Sequence, residues 1–207
     1  MQHLSGKFIV LDGPEGSGKS TQSKLLSESL RAAGLDVLCV RDPGTSVIGE
    51  KIRSILLDTS HTEMAMRCEM LLYMAARAQM MTESIHPALA AGKVVISDRF
   101  ISSTLAYQTD GDGLTVDEIK SVGDVAVNHR WPDLTIIFNI SADKSMARVR
   151  RAKDRIEQRP MEYHAQVYQN YLKQAVGNPK YRVIDADRSP VEVHEALMAL
   201  LKDPGQL

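Results

Sequence analysis

The sequence is short of cysteine, of net charge and of long apolar runs, and each shortage excludes a class of protein. Only two of 207 residues are cysteine, and both Cys39 and Cys68 stand among apolar neighbours, so we expect reduced core thiols rather than a disulfide, metal or nucleophile role. The formal net charge of −1 argues against a nucleic acid partner. No run approaches the roughly 18 apolar residues of a membrane span, and residues 1–7 lack the apolar stretch of a signal peptide. We therefore predict a cytoplasmic protein with neither nucleic acid nor membrane as partner.

Internal repeats, low-complexity tracts and flexible linkers are absent too, which predicts one domain over residues 1–207. Short apolar runs rich in β-branched residues alternate with longer segments of helical pattern. This alternation predicts an α/β fold with a five-stranded parallel sheet flanked by helices, and ligands at the carboxyl ends of its strands. The predicted strands cover residues 8–11, 37–40, 94–96, 134–140 and 181–184. The predicted helices cover residues 19–33, 47–57, 63–90, 116–128, 144–151, 161–175 and 191–201.

A glycine-rich motif follows the first predicted strand. It satisfies the pattern G-x-x-x-x-G-K-[ST] of a phosphate-binding loop (P-loop) in full, and it lies between a strand and a helix, as that loop requires. The glycines let backbone N–H groups converge on phosphate oxygens, and the following helix adds its positive N-terminal end. We expect Lys19 to reach the β- and γ-phosphates of ATP and the Ser20 hydroxyl to ligate Mg²⁺. The residues predicted to bind ATP are Gly13, Pro14, Glu15, Gly16, Ser17, Gly18, Lys19, Ser20 and Thr21.

Charged residues end two of the predicted strands. Asp98 and Arg99 follow the third strand, and Arg41 follows the second. Because parallel strands present their carboxyl ends on one edge, Arg41 and Arg99 should face the same crevice as Lys19. Asp98 can hold Mg²⁺ directly or through water, and each guanidinium can bind a phosphate with its planar fork. Two such arginines favour a kinase acting on a monophosphate over an NTP hydrolase, although a strand-end ion pair without ligand is the alternative for Asp98 and Arg99.

The long helical segment over residues 63–90 carries an aromatic ring and a guanidinium on one face. Tyr73 and Arg77 lie four residues apart and so share that face. The pair suits a nucleobase, since the ring can stack on the base plane while the arginine donates to a carbonyl oxygen. For Tyr73 alone, an ordinary half-buried aromatic is an equally good interpretation. Another face of the same segment is apolar, and we predict that it packs on the protein. This stripe consists of Cys68, Leu71, Leu72 and Ala75.

In order and over nearly its whole length, the sequence resembles the thymidylate kinase family. The segments that carry the resemblance are residues 11–21, 41–44, 69–77, 98–100, 103–108, 132–135 and 154–157. The resemblance implies the P-loop nucleoside-monophosphate kinase fold, a homodimer, and transfer of the γ-phosphoryl group of ATP to dTMP. A deoxynucleoside kinase, a kinase for another monophosphate and a non-catalytic P-loop nucleotide-binding protein stay as alternatives. A phosphate acceptor needs no general base, because its attacking oxygen is already anionic.

The resemblance also implies roles for the residues around dTMP. Arg41 and Arg99 would hold its phosphate, and Glu15 would lie near the sugar 3′-hydroxyl or the metal. Tyr107, with Thr104, would crowd the sugar 2′ position and disfavour ribonucleotides, while Arg77 would bond the thymine O4. The residues predicted to bind dTMP are Glu15, Arg41, Tyr73, Arg77, Arg99, Ser103, Thr104, Tyr107 and Gln108.

The chain departs from the family pattern at several loop positions. Gly44 is followed by Thr45 and Ser46, where the family usually has Gly-Thr. Thr109 stands where a glycine is common, and Asp112 stands where an arginine is frequent. These departures put loop geometry and turnover in doubt more than the type of reaction.

A dense basic run follows at the position of the family's lid, about residues 148–160, which closes over ATP. Since no basic residue stands between Gly13 and Lys19, a cation for the transferring phosphoryl group must come from elsewhere. Arg150, Arg151 and Arg155 are the candidates, and a solvated charge run is the alternative. The predicted catalytic set consists of Lys19, Arg41, Arg99, Arg150, Arg151 and Arg155.

Overall fold

A five-stranded parallel sheet forms the centre of the computed structural model, which describes residues 1–109, 114–150 and 152–206. The strands are β1 (Phe8–Asp12), β2 (Val37–Arg41), β3 (Val94–Asp98), β4 (Leu134–Asn139) and β5 (Tyr181–Asp185). Their order across the sheet is β2-β3-β1-β4-β5. The central strands β1 and β3 are buried along their whole length, as apolar runs in a parallel sheet require. The predicted α/β fold and all five strands are confirmed.

The helices observed within the described ranges flank this sheet. They are α1 (Lys19–Ala32), α2 (Val47–Leu57), α3 (Met66–Met80), α4 (His86–Ala90), α5 (Ile101–Tyr107), α6 (Val116–Val127), α7 (Ala142–Ala147), α8 (Met161–Ala175) and α9 (Pro190–Lys202). Side-chain caps start several of them: Ser46 accepts from the Gly49 N–H, and Ser189 forms a capping box with Glu192 at the start of α9. Such caps satisfy backbone donors that a helix leaves unpaired at its first turn.

Two helix predictions need correction, and one helix was missed. The predicted helix over residues 63–90 begins at Met66 and is interrupted by a π-helical turn at Met81–Ile85 before α4. The helix predicted over residues 144–151 is α7, which ends at Ala147, before like charges would crowd its surface. Helix α5 was not predicted, because seven residues show too little periodicity.

Two hydrophobic cores lie on opposite faces of the sheet. Alternate residues of β1 point to opposite sides: Ile9 and Leu11 join one core, and Phe8 and Val10 join the other. The first core is closed by α1 and α9. The second is closed by α3, α5 and α6. The helices that carry the predicted dTMP residues thus pack on one face of the sheet.

The predicted core position of the two cysteines and the predicted apolar packing stripe of α3 were wrong. Cys39 and Cys68 are both exposed, the first because β2 is an edge strand. On α3, Leu71 is 52% exposed, and Ala75 is also exposed while Leu72 is half-buried. The face that packs on the sheet contains Met70, Met74 and Arg77 instead, since the longer methionines fill the space between helix and sheet.

No helix in the described part of the chain is long and apolar enough to cross a membrane. The cytoplasmic location stays a prediction.

Candidate active site

The phosphate-binding loop joins β1 to α1 in a left-handed backbone conformation that glycine permits. Gly16 has φ +75°, and a Cβ there would stand 2.2 Å from the Ser145 carbonyl oxygen. Gly18 has φ +94° and is followed directly by the first turn of α1. The loop is therefore shaped by local sequence and held close to α7, with the positive end of α1 behind it.

Lys19 is buried inside this loop. Its Nζ donates to the carbonyl oxygens of Pro14 and Gly13, at 2.7 and 3.1 Å, and to Ser17 Oγ at 3.3 Å. Burial, assisted by the charge of Arg99, lowers the pKa of Lys19 to about 8. The ammonium group is thus poorly solvated, which strengthens its attraction for a phosphate.

Ser20 and Asp98 meet where α1 begins and β3 ends. The Ser20 hydroxyl donates to Asp98 Oδ2 at 2.5 Å. No cluster of three His, Cys, Asp or Glu that could hold a metal lies among the described residues. Mg²⁺ in nucleotide enzymes needs only one or two protein ligands beside phosphate oxygens and water. A hydroxyl next to a carboxylate fits that requirement, and the metal-binding role of Ser20 and Asp98 stays a prediction.

Arg99 projects into the crevice from a strained backbone, with φ +72°. Its guanidinium donates to Glu15 Oε2 at 2.5 Å and to Ser103 Oγ at 3.0 Å. The ring of Tyr107 lies 5.5 Å from the guanidinium carbon. A left-handed non-glycine residue costs on the order of 1–3 kcal/mol and is typical of functional sites. The strain here turns the side chain toward the phosphate-binding loop.

Arg77 is held by a buried ion pair. Its Nε donates to Asp42 Oδ2 at 2.6 Å, and both side chains are 1% exposed. A second nitrogen donates to Thr104 Oγ1 at 3.2 Å, and the guanidinium lies 5.1 Å from the centre of the Phe100 ring. Burial raises the pKa of the Asp42 carboxyl even though Arg77 opposes the rise. Such a pair contributes little net stability, so its value lies in the position it gives Arg77.

Two neighbouring cavities contain most of the predicted site. The aromatic cavity is lined by Tyr73, Arg77, Ser103, Thr104, Tyr107 and Gln108, among others. The loop cavity is lined by Gly16, Gly18, Lys19, Ser20, Thr21, Arg41, Asp98 and Arg148. Four residues belong to both: Glu15, Asp42, Arg53 and Arg99. The remaining loop residues Gly13, Pro14 and Ser17 hold Lys19 instead of lining the cavity.

The structure adds Arg53, which the sequence analysis missed. Arg41 lines only the loop cavity, and its half-exposed side chain is paired with Glu50 at 2.9 Å. Arg53 is half-buried, donates to the Pro43 carbonyl oxygen at 3.1 Å and borders both cavities. No motif marked Arg53, because its place depends on how α2 packs. The sequence did offer one signal. Arg53 is a basic residue three positions after Glu50, on the helix that follows the turn after Arg41.

The predicted lid residues occupy different environments. Arg150 is exposed and pairs with no acidic residue in the described part of the chain, whereas Arg151 lies outside the described residues. Arg155 is buried and donates to Glu69 Oε2 at 2.5 Å and to the Leu56 carbonyl oxygen at 2.8 Å. Arg159 joins the same carboxylate at 2.7 Å. The catalytic role of each arginine stays a prediction.

Comparison with known proteins identifies the family. The model of the family described as thymidylate kinase matches residues 11–197. A thymidylate kinase of Exiguobacterium sibiricum is 42% identical over 189 residues, covering 90% of this chain and 89% of its own. One of Pseudomonas putida is 43% identical over 207 residues, covering 99% and 98%.

The chain belongs to the thymidylate kinase family. A crystal structure of thymidylate kinase from Ehrlichia chaffeensis matches with a TM-score of 0.79 and 30% identity, covering 96% of this chain and all of that one. The predicted family, the P-loop kinase fold and the type of enzyme are confirmed.

One departure from the family pattern has a visible structural answer. Thr45 adopts φ +68°, a conformation that suits glycine better than a β-branched residue. Its hydroxyl accepts from the Arg41 backbone N–H at 2.9 Å, and its own N–H donates to Glu50 at 3.0 Å. These bonds keep the turn after β2 closed. Thr109 buries a hydroxyl without a partner among the described residues, and Asp112 lies outside them.

Proposed function

We propose that this chain transfers the γ-phosphoryl group of ATP to the phosphate of dTMP across the wall that its two cavities share. The proposal is carried by the residues that line both cavities, because two of them, Arg53 and Arg99, are cations that border the loop cavity and the aromatic cavity together. A nucleoside triphosphate in one cavity and a monophosphate in the other would meet there. A kinase for an uncharged hydroxyl would have less use for two cations at that place.

On the acceptor side, the aromatic cavity supplies contacts for a deoxynucleotide. Arg77, fixed by Asp42, offers guanidinium donors to a base carbonyl, and Tyr73 offers a ring beside it. Tyr107 lies against Arg99, where it would exclude a sugar 2′-hydroxyl. Arg99 and Arg53, with Arg41 at the edge of the loop cavity, would hold the monophosphate for in-line attack.

On the donor side, the loop amides, the start of α1 and Lys19 would hold the ATP phosphates. Ser20 and Asp98 would hold Mg²⁺, which when bound neutralises charge on the β- and γ-phosphate oxygens. The chain's own contribution is a fixed arrangement of dipoles and cations that needs no reorganisation during transfer. Within the lid, about residues 148–160, Arg150 is the described candidate that is free to turn toward ATP when the lid closes.

A spectrophotometric assay of ADP release tests this function. We expect turnover with dTMP to exceed that with dCMP, dGMP and thymidine by orders of magnitude. Lys19→Ala should abolish it without unfolding the protein, and Arg77→Ala should lose most of the preference for dTMP over dCMP. Faster turnover of thymidine would favour a deoxynucleoside kinase. Absence of any turnover would favour a non-catalytic nucleotide-binding protein.

We also propose that the chain forms a homodimer through the outer face of α2 and α3. Apolar side chains stand exposed along this face: Val47 at 75%, Ile48 at 49%, Ile55 at 43% and Leu71 at 52%. Helices α2 and α3 pack on each other, and exposed apolar patches mark interaction surfaces. Sedimentation of Leu71→Arg should give monomers, whereas Val176→Arg, at a site 82% exposed beyond α8, should behave as the wild type. Monomeric wild-type protein would contradict the proposal.

A further inference from the structure

Glu69, on α3 one turn before Tyr73, is a fully buried carboxylate with partners on both oxygens. Oε2 accepts from Arg155 at 2.5 Å and from Arg159 at 2.7 Å. Oε1 accepts from the Gln108 side-chain nitrogen at 2.8 Å. Burying a charge is costly unless it is paired and hydrogen-bonded. The two guanidinium groups meet that condition, so Gln108 is the partner whose bond needs a separate explanation.

The bond between Glu69 and Gln108 can form in only one orientation of the amide. An ionised carboxylate accepts hydrogen bonds and cannot donate, so Gln108 must present its NH₂ group to it. The amide oxygen is then the end that Glu69 does not hold. Gln108 is 1% exposed and lines the aromatic cavity, so its orientation decides whether the cavity meets a ligand with an acceptor or a donor.

Arg77 fixes the complementary half of the pattern. Its guanidinium can only donate, and it lines the same cavity as Gln108. A donor from Arg77 and an acceptor from Gln108 in one cavity match the thymine edge, which carries the O4 acceptor beside the N3–H donor. Cytosine carries an amino donor beside an unprotonated N3, which reverses both positions. With the amide turned over, Gln108 would instead offer its NH₂ group to the cytosine N3.

We propose that Glu69 is a specificity-determining positioning residue, which selects dTMP over dCMP by holding the Gln108 amide in one orientation. The inference rests on the proposed function, in that it takes the aromatic cavity as the base site. Arg155 and Arg159 act in it as the counter-ions of Glu69 and hold its carboxylate in place. Base selection and the C-terminal part of the lid segment are thereby tied to the same carboxylate.

The test is Glu69→Gln, because a glutamine at this position can donate to the Gln108 oxygen and so allows the amide to turn. We expect the ratio of kcat/KM for dTMP to that for dCMP to fall at least about tenfold. Glu83→Gln is the matched control, since Glu83 accepts from Gln79 in an exposed pair beyond the end of α3; its ratio should stay unchanged. An anchor for the lid alone would lower both substrates equally, and an unchanged ratio in Glu69→Gln overturns the inference.

Two further measurements keep the outcome decisive. If Glu69→Gln fails to fold, E69Q/R159Q removes one charge of each sign from the buried cluster and is assayed in the same way. In Q108M, which lacks the amide, adding Glu69→Gln should leave the ratio unchanged; a further fall there would mean that Glu69 acts by another route. A wild type without preference for dTMP would refute the proposed function itself. A wild type that discriminates and a Glu69→Gln variant that discriminates equally would refute only this inference.

Discussion

Arg77→Met is the sharpest test of how the aromatic cavity is held together. In the wild type, burial raises the pKa of the Asp42 carboxyl, and Arg77 is the strongest influence that lowers it. The other carboxylate oxygen, Oδ1, has no hydrogen-bond partner among the described residues. Methionine fills much of the space beside Met74 and Phe100 without a charge. The variant therefore leaves a buried carboxylate without its main counter-ion.

The sign of the pH dependence follows from the proton balance. The unfolded carboxyl titrates near 3.8, whereas native Asp42 in Arg77→Met binds its proton up to a higher pH than in the wild type. Stability must then fall as the pH rises, by up to about 1.4 kcal/mol per pH unit. The loss accumulates from the pKa of the unfolded carboxyl up to the raised pKa of native Asp42, and each 1 kcal/mol of it lowers Tm by about 2 to 4 °C for a chain of this size. This loss is part of the about 3–5 kcal/mol that breaking a buried pair costs.

Urea unfolding of Arg77→Met and of the double variant R77M/D42N at pH 6, 7 and 8 measures the effect. The double variant lacks the titrating group, so it should be the more stable of the two at pH 8, and the difference should shrink toward pH 6. The contributions of all other titrating groups cancel in the comparison. A difference that does not change with pH, or a double variant less stable than Arg77→Met at pH 8, would refute the reasoning.

Three further predictions concern the donor side. With a pKa of about 8, Lys19 loses its proton above that pH. ATP affinity measured by calorimetry should therefore fall up to about tenfold per pH unit in that range. The Lys19→Arg variant should show no such fall, and an equal fall in that variant would exclude Lys19 as the cause. Arg150→Gln should lower kcat by about 10³-fold with dTMP affinity nearly unchanged; a kcat within a few-fold of wild type in steady-state kinetics would remove Arg150 as the catalytic cation. Gly16→Ala should lower kcat about 10²-fold, because its Cβ would displace the loop from Ser145; normal turnover would contradict the loop geometry.

The phosphate-binding loop could be predicted from sequence because short-range physics determines it. Glycine spacing sets the left-handed turns around Gly16 and Gly18, and the strand before and the helix after place Lys19 and Ser20. The meeting of Ser20 with Asp98 followed from one topological rule, since parallel strands end at the same edge. Tyr73 and Arg77 came from helical spacing alone.

The sequence did not predict the environment of side chains that depend on packing between distant elements. Arg53 borders both cavities only because α2 lies across the turn after β2. By sequence, the stripe with Cys68 and Leu71 is as apolar as the face with Met70 and Met74. Which of the two faces of α3 packs on the sheet depends on how the side chains fit together in the core.

The basic run after α7 shows the same division between local and tertiary information. Its charge pattern fits both a solvated surface and a catalytic lid, and nothing nearby in the sequence separates the two. Arg155 is buried because Glu69, 86 residues away in the sequence, offers it a carboxylate inside the protein. Local sequence determines which groups are charged and which turns are possible. The tertiary structure alone decides which charges are desolvated together, because desolvation and pairing depend on contacts between elements remote in the chain.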